Sequence, residues 1–269
     1  MGAGGRQPVA PRYPDAMSFE VAAEAYDRFM GRYSRGLSAQ LADLAAVRAG
    51  QDVLDVGSGP GALVGELAAR VGADHVAAVD PSEPFVEAVL SRYPGVDVRL
   101  AVAERLPFGD AVFDTTFAQL VVHFLKEPVV GLREMARVTR SGGSVATCVW
   151  DHATDRGPLG VFWSVARALE PGVHDEAGLP GVREGHLVEL MTATDAFRSV
   201  EGAVLTVEVE HPTFEEWWEP FTRGVGPAGA YVAGLDVGRR DALRSACRRA
   251  LPAEPFRITA RAWAARGIR

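Results

Sequence analysis

Three glycines, Gly57, Gly59 and Gly61, end the segment Val53–Gly61 (VLDVGSGPG), with Asp55 two residues before the first of them. Glycine where a strand turns into a helix lets the backbone approach a ligand closely, because no Cβ intervenes. Gly57, Gly59 and Ala62 also satisfy the G-x-G-x-x-G/A spacing of dinucleotide-binding loops, so a nicotinamide dinucleotide is one candidate ligand. Asp55 argues against it. A carboxylate beside an incoming pyrophosphate repels it, whereas the ammonium of an amino acid is attracted. Asp80 follows about twenty residues later, where an acid accepts both ribose hydroxyls. Its alternative use is structural, as cap of a helix beginning near Pro84. An acid, a glycine loop and a ribose acid in this order describe a nucleoside that carries an amino acid.

The other reactive side chains are more scattered. His123 follows a candidate strand and is the leading candidate for a general base, needed only if the nucleophile must lose a proton. His152, in Trp150-Asp-His, is the second candidate; for both, a buried structural histidine is the competing reading. No His-x-x-x-His and no cysteine cluster occurs, so no metal site is expected. Ser58 lies in Gly-Ser-Gly rather than in a G-x-S-x-G elbow, and no serine triad follows. Trp163, Trp217, Trp218 and Trp263 are read first as core, with stacking on a planar substrate as the alternative.

Strands and helices alternate around these residues. Short apolar runs predict strands at 52–56, 75–80, 96–100, 113–118 and 143–150, with helices over 62–71, 83–92 and 129–139 between them. This rhythm implies a parallel sheet with right-handed crossovers. Ahead of it, 18–44 reads as two helices broken near Gly31 and Gly36. Behind it, helices are expected at 159–169, 186–192, 214–223, 228–235 and 239–251, and strands at 204–210 and 256–264. The expected fold is one α/β, Rossmann-like doubly wound sheet of about seven strands, mostly parallel with an antiparallel last strand. Segment 1–16 is expected to be a disordered arm, 17–150 the nucleoside-binding core with an N-terminal lid, and 151–269 sheet completion plus helical cap.

The chain has 269 residues, 48% of them hydrophobic and 23% charged, with a net charge of −7. Its only lysine is Lys126, and the pairs Arg239-Arg240 and Arg248-Arg249 read as the solvated side of one helix. A nucleic-acid partner is therefore not expected. No apolar run approaches the ~18 residues of a membrane span. The first fourteen residues have no apolar core of a signal peptide, and Cys148 and Cys247 suggest neither disulfide nor zinc, which fits a cytoplasmic protein.

Five motifs stand in the order found in class I S-adenosylmethionine-dependent methyltransferases, and the chain resembles those of the ubiquinone/menaquinone-biosynthesis type. They are Leu54–Gly61 (LDVGSGPG), Val79–Ser82 (VDPS), Ala103–Asp110 (AERLPFGD), Ala118–Leu125 (AQLVVHFL) and Arg137–Gly143 (RVTRSGG). The resemblance implies S-adenosyl-L-methionine as cofactor, with S-adenosyl-L-homocysteine as product. Gly57, Ser58, Gly59 and Gly61 would line its methionine part, with Asp55 near the ammonium. Asp80 would hold the ribose, with Pro81 and Ser82 beside the adenine. Ala103 and Glu104 would border the adenine edge, and Gln119 and Leu120 would form the wall under the sulfonium. Tyr26 and Arg32 match the family's N-terminal lid, and Arg32 would pair with the cofactor carboxylate. One position departs: where many relatives carry an aspartate before the Ala-Glu pair, this chain has Val102. The implied function is methyl transfer to O, N or C of a small organic molecule, with specialised metabolism as a setting. A cyclase or binding protein that keeps the cofactor without transferring methyl is the alternative.

Overall fold

The β1 strand (Val53–Val56) lies at the centre of the sheet because all four of its residues are buried, as an interior parallel strand requires. The computed structural model describes residues 26–269. Among these, seven strands form one sheet in the order β3-β2-β1-β4-β5-β7-β6. Here β2 is Val76–Asp80, β3 Asp97–Leu100, β4 Phe113–Gln119, β5 Thr139–Trp150, β6 Ser199–His211 and β7 Phe256–Ile268. The first five pair in parallel, and β7 runs antiparallel to both β5 and β6. The expected strand set and its antiparallel last strand are therefore present. β7 goes inside the sheet because its alternating small residues, Ala260, Ala262 and Ala264, are buried. β6 carries Glu201, Glu208 and Glu210, which stay exposed or half-exposed, and so forms the edge.

Helices α1 (Arg32–Leu44), α2 (Ala62–Val71) and α3 (Glu83–Arg92) pack before β4 in the chain; α4 (Pro128–Val138) joins β4 to β5. In α2 the apolar residues Leu63, Val64, Leu67 and Val71 recur at helical spacing, and all four are buried. Leu37 and Leu41 of α1 join them in the core on one face of the sheet. Leu132 and Met135 of α4 fill the other face with Leu187 and Met191 of α6 (His186–Thr192). The predicted break at Gly36 does not occur, since α1 runs through it. Gly36 instead permits close packing, because a Cβ there would stand 3.1 Å from Val207 Cγ1 on β6. The change of winding comes at Gly31, which ends a π-helical turn over Asp27–Gly31. The expected arm at 1–16 and the first helical residues from Ser18 lie outside the described residues.

The remaining helices build a cap. These are α5 (Gly160–Leu169), α7 (Phe214–Trp218), α8 (Gly226–Gly234) and α9 (Val237–Ala250). Their aromatic residues form a third core cluster with Phe29 and Met30 of the π-helical turn. Phe162 stacks on Phe221 with centroids 4.5 Å apart, and Trp163, Trp217 and Trp218 are buried around them. Each fully buried aromatic side chain contributes about 1.5–3 kcal/mol by the area it removes from water. The tryptophans of the cap are thus core. The arginines of α9 face outward, where Arg239, Arg244 and Arg248 pair with Glu170, Glu215 and Glu254.

Candidate active site

From β1 the chain winds outward to β2 and β3, then returns to place β4 and β5 on the other side of β1. The crossovers leaving β1 and β4 therefore diverge, and a crevice opens beyond the carboxyl ends of these strands. Asp55, the glycine loop, Asp80, Gln119 and Leu120 are all at those ends.

The glycine loop is held from beneath. The N–H groups of Gly57 and Ser58 both donate to the Val79 carbonyl, at 2.8 and 3.0 Å. Gly57 has φ +72°, and a Cβ there would come 2.5 Å from Val121. Gly61 has φ +97°, and a Cβ would meet Tyr93 at 2.7 Å. Gly59, at φ +52°, has nothing within 4 Å of where its Cβ would be. Two glycines are thus required by the protein's own packing, and the third leaves open space above the loop.

Asp55 is 1% exposed, and neither of its carboxylate oxygens has a hydrogen-bond partner among the described residues. Burial pushes its carboxyl up to about 8, and the charge of Asp80 adds to this. A carboxylate in this state lacks a cation. Asp80 accepts the Gly59 N–H on Oδ2 and the Ser82 N–H on Oδ1, both at 2.8 Å. Burial raises it to about 6, although these two hydrogen bonds pull it down. Asp80 therefore shapes the loop as well as facing the crevice, and each of its oxygens keeps a further lone pair. Ser82 stands immediately before α3 with Pro81 exposed beside it, and Ala103 is buried. Leu100 and Val102, 59% and 48% exposed, leave an apolar surface next to this acid.

Gln119 donates from Nε2 to the Ser34 carbonyl of α1 at 3.2 Å, and its Oε1 is buried without a partner. Leu120 follows with φ +61°, a left-handed conformation that costs a branched side chain about 1–3 kcal/mol and that clusters at functional sites.

Two predicted site residues have other uses. Glu104 accepts the backbone N–H groups of Lys126 and Glu127 on Oε1, at 3.2 and 3.4 Å, and so fixes the entry to α4. Arg32 does not reach the glycine loop. It donates to His211 Nδ1 at 3.4 Å and approaches Glu216 at 3.7 Å. The His211 ring proton then lies on Nε2 and is donated to Tyr33 Oη at 2.7 Å. The cation beside the loop is Arg92, which the sequence reading missed: its Nη1 reaches the Pro60 carbonyl at 3.0 Å and Asp27 at 2.5 Å. Tyr26 does reach the crevice. It packs edge-on to Phe85 with centroids 5.6 Å apart. Burial pushes its phenol well above the usual range, and the charges of Asp80, Asp27 and Glu176 add to this.

A pocket partly open to solvent adjoins the crevice, lined by Tyr26, Leu120, His123, Trp150, His152 and Glu176 among others. His123 comes from the 3-10 turn after β4, and His152 from the turn after β5. Their rings stand 6.0 Å apart. His123 Nδ1 is buried without a partner, and burial, with His152 adding to it, holds the imidazole well below its usual value. Asp151 fixes the turn that carries His152, accepting Thr154 Oγ1 at 2.6 Å and Arg261 Nε at 2.8 Å. Glu176, from the loop between α5 and α6, is 3% exposed; no sequence motif marks it.

Known proteins resemble this chain in sequence and in fold. Residues 54–147 match the family described as "Methyltransferase domain". A demethylmenaquinone methyltransferase of Clavibacter sepedonicus is 36% identical over 228 residues, 80% of this chain and 91% of that protein. A malonyl-[acyl-carrier protein] O-methyltransferase of Erwinia billingiae is 34% identical over 130 residues, 48% of this chain. That match spans about half of the relative, 51% of its length. Among solved structures, a putative methyltransferase from an antibiotic biosynthesis pathway of Anabaena variabilis has a TM-score of 0.61 at 17% identity, covering 85% of this chain and 95% of that one. The structural likeness shows the fold, and the match to the Clavibacter protein, over 80% of this chain, shows the family. With the glycine loop, Asp55 and Asp80 gathered at the switch point of that fold, the chain belongs to the class I S-adenosylmethionine-dependent methyltransferases, on the branch that resembles the quinone-biosynthesis enzymes.

Proposed function

We propose that the protein binds S-adenosylmethionine over its glycine loop and directs methyl transfer to O, N or C of a small organic acceptor in the adjoining cavity. The observation that carries this reading is the Asp55 carboxylate, buried and unpartnered beneath an open Gly59 at the switch point. The cofactor, when bound, supplies a methyl group on a positively charged sulfur. The chain's own residues bind, orient and exclude water. Asp55 offers two acceptors to an ammonium, and Asp80 offers its spare lone pairs to ribose hydroxyls. Leu100 and Val102 present an apolar face for adenine, beside Pro81, Ser82 and Ala103. Gln119 and Leu120 form the wall between the crevice and the cavity. Tyr26, whose phenol feels the charges of both Asp80 and Glu176, closes over the two halves. Alignment of donor and acceptor in a dry site then lowers the barrier.

At the acceptor end we assign His123. Its unpartnered Nδ1 is an acceptor for an O–H or N–H of the methyl acceptor, turning the nucleophile's lone pair toward the crevice. The relatives are named for demethylmenaquinone and for malonyl-[acyl-carrier protein] as acceptors. A planar or acyl metabolite suits this cavity likewise, and specialised metabolism is the setting we favour. Among the described residues no helix is long and apolar enough to cross a membrane. Action in the cytoplasm, on neither membrane nor nucleic acid, completes the reading. Titration calorimetry with S-adenosylhomocysteine tests it: saturable binding near one equivalent is expected, and no heat at millimolar ligand would sink it. Labelled methyl appearing in an extracted metabolite separates transfer from mere cofactor binding.

A further inference from the structure

The sequence holds no pair of ligands at metal spacing, but the fold assembles a set of three. His123, His152 and Glu176 converge from the turn after β4, the turn after β5 and the α5–α6 loop. All three are buried, and one ligand atom of each lies within 4.8 Å of those of the other two. His152 Nε2 and Glu176 Oε1 stand 3.8 Å apart. That is too long for a hydrogen bond, and close to the roughly 3.3 Å that separates two ligands of one tetrahedral zinc ion. Closing the set around an ion needs movements of about an ångström.

Three further observations point to a ligand between them. His123 Nδ1 is buried without a partner, and the ring is 4% exposed. Glu176 receives the Trp163 indole N–H on Oε2 at 2.8 Å, which leaves Oε1 toward the histidines. Hydrogen bonding of one carboxylate oxygen from outside is how metal-ligating carboxylates are oriented. Finally, no arginine or lysine among the described residues pairs with Glu176, although a buried carboxylate calls for a cation.

We propose that His123, His152 and Glu176 bind one divalent transition-metal ion, of the zinc or iron(II) class, at the wall of the acceptor cavity. Two imidazoles and a carboxylate favour such ions over magnesium or calcium. Three protein ligands leave a position open, as in catalytic rather than structural sites. In the cavity that position faces an acceptor, which would then carry an oxygen or nitrogen donor. This last clause rests on the reading proposed above, whereas ion binding itself does not. With an ion present, the His123 lone pair is a ligand instead of a hydrogen-bond acceptor, and an acceptor's hydroxyl proton leaves to water as its oxygen binds.

The test uses untagged full-length protein, stripped with a chelator and titrated with Zn²⁺ and with Co²⁺ in the absence of cofactor. One equivalent per chain is expected, with the stronger visible absorption of four- or five-coordinate cobalt. Glu176→Gln and His152→Ala should each weaken binding at least tenfold. Trp163→Phe, a change to a positioning residue, should weaken it about 10–100-fold with unchanged circular dichroism. Absence of stoichiometric binding, a weak six-coordinate cobalt spectrum, or affinity unchanged in the folded variants would overturn the proposal. Should Glu176→Gln fail to fold, the wild-type cobalt spectrum and Trp163→Phe decide. S-adenosylhomocysteine binding that persists in the stripped protein would show that a failure here leaves the cofactor reading standing.

Discussion

The two halves of the site are built in different ways. The cofactor half is local: Asp55, Gly57, Gly59 and Gly61 lie within seven residues, and Asp80 ends the neighbouring strand. The pocket proposed for the acceptor is assembled from three turns and surrounding helices that meet only in the folded chain. A ligand shared by a whole family is met by backbone geometry and a few fixed carboxylates. A ligand particular to one protein is met by side chains from variable loops on the same scaffold.

The sharpest way to break this division is His123→Ala. Methyl transfer should fall about 10²–10⁴-fold, the range for removing a proton-transfer or orienting group. Affinity for S-adenosylhomocysteine should stay within about threefold, since RT ln 3 is under 1 kcal/mol. Loss of cofactor binding instead would merge the two halves. Next comes Gly57→Ala, which puts a Cβ at 2.5 Å from Val121 on a backbone with φ +72°. Cofactor affinity should drop at least about 100-fold, and denaturant titration should show about 2–4 kcal/mol of lost stability.

Asp55→Asn sharpens the comparison by separating binding from stability. Cofactor affinity should fall about 10–100-fold, as when a charged hydrogen-bonded partner is removed. The cofactor-free protein should melt higher. The sign follows from the raised carboxyl: with a folded value of about 8 against an ordinary 3.8, its contribution is intact below the ordinary value and is lost as pH rises through 8. For the wild type, an ammonium-bearing ligand prefers the ionised acid, so affinity should increase with pH up to about 8. A flat profile between pH 6 and about 8 would remove Asp55 from the ammonium site. The smallest effect is expected from Val102→Asp, which puts a carboxylate at the one position where the motifs depart from the resemblance. On a residue 48% exposed, the gain in cofactor affinity should be only about 3–10-fold by calorimetry.

Legibility followed the same line. Helices α2, α3 and α6 begin and end where glycine, proline and apolar spacing predicted. Interior strands were readable because residues buried on both faces form continuous apolar runs. Gly36 misled, because its small size serves a close approach to Val207 rather than a helix break. Arg32 misled for a related reason: the tertiary neighbours His211 and Glu216 turn its side chain away. Arg92 and Glu176 carried no local signal. One is the last residue of an ordinary helix, and the other stands beside Asp175 in a loop with no motif around it.

By itself the sequence determined the order of elements, the glycine loop and the two carboxylates proposed for a nucleoside–amino acid ligand. These depend on backbone conformation and on charge within one βαβ unit, which neighbouring residues specify. Tertiary structure decided which groups line the pocket proposed for the acceptor. Burial and pairing belong to positions in space, so only the fold could leave Asp55 without a partner, place Trp163 behind Glu176, and bring that acid to His123 and His152.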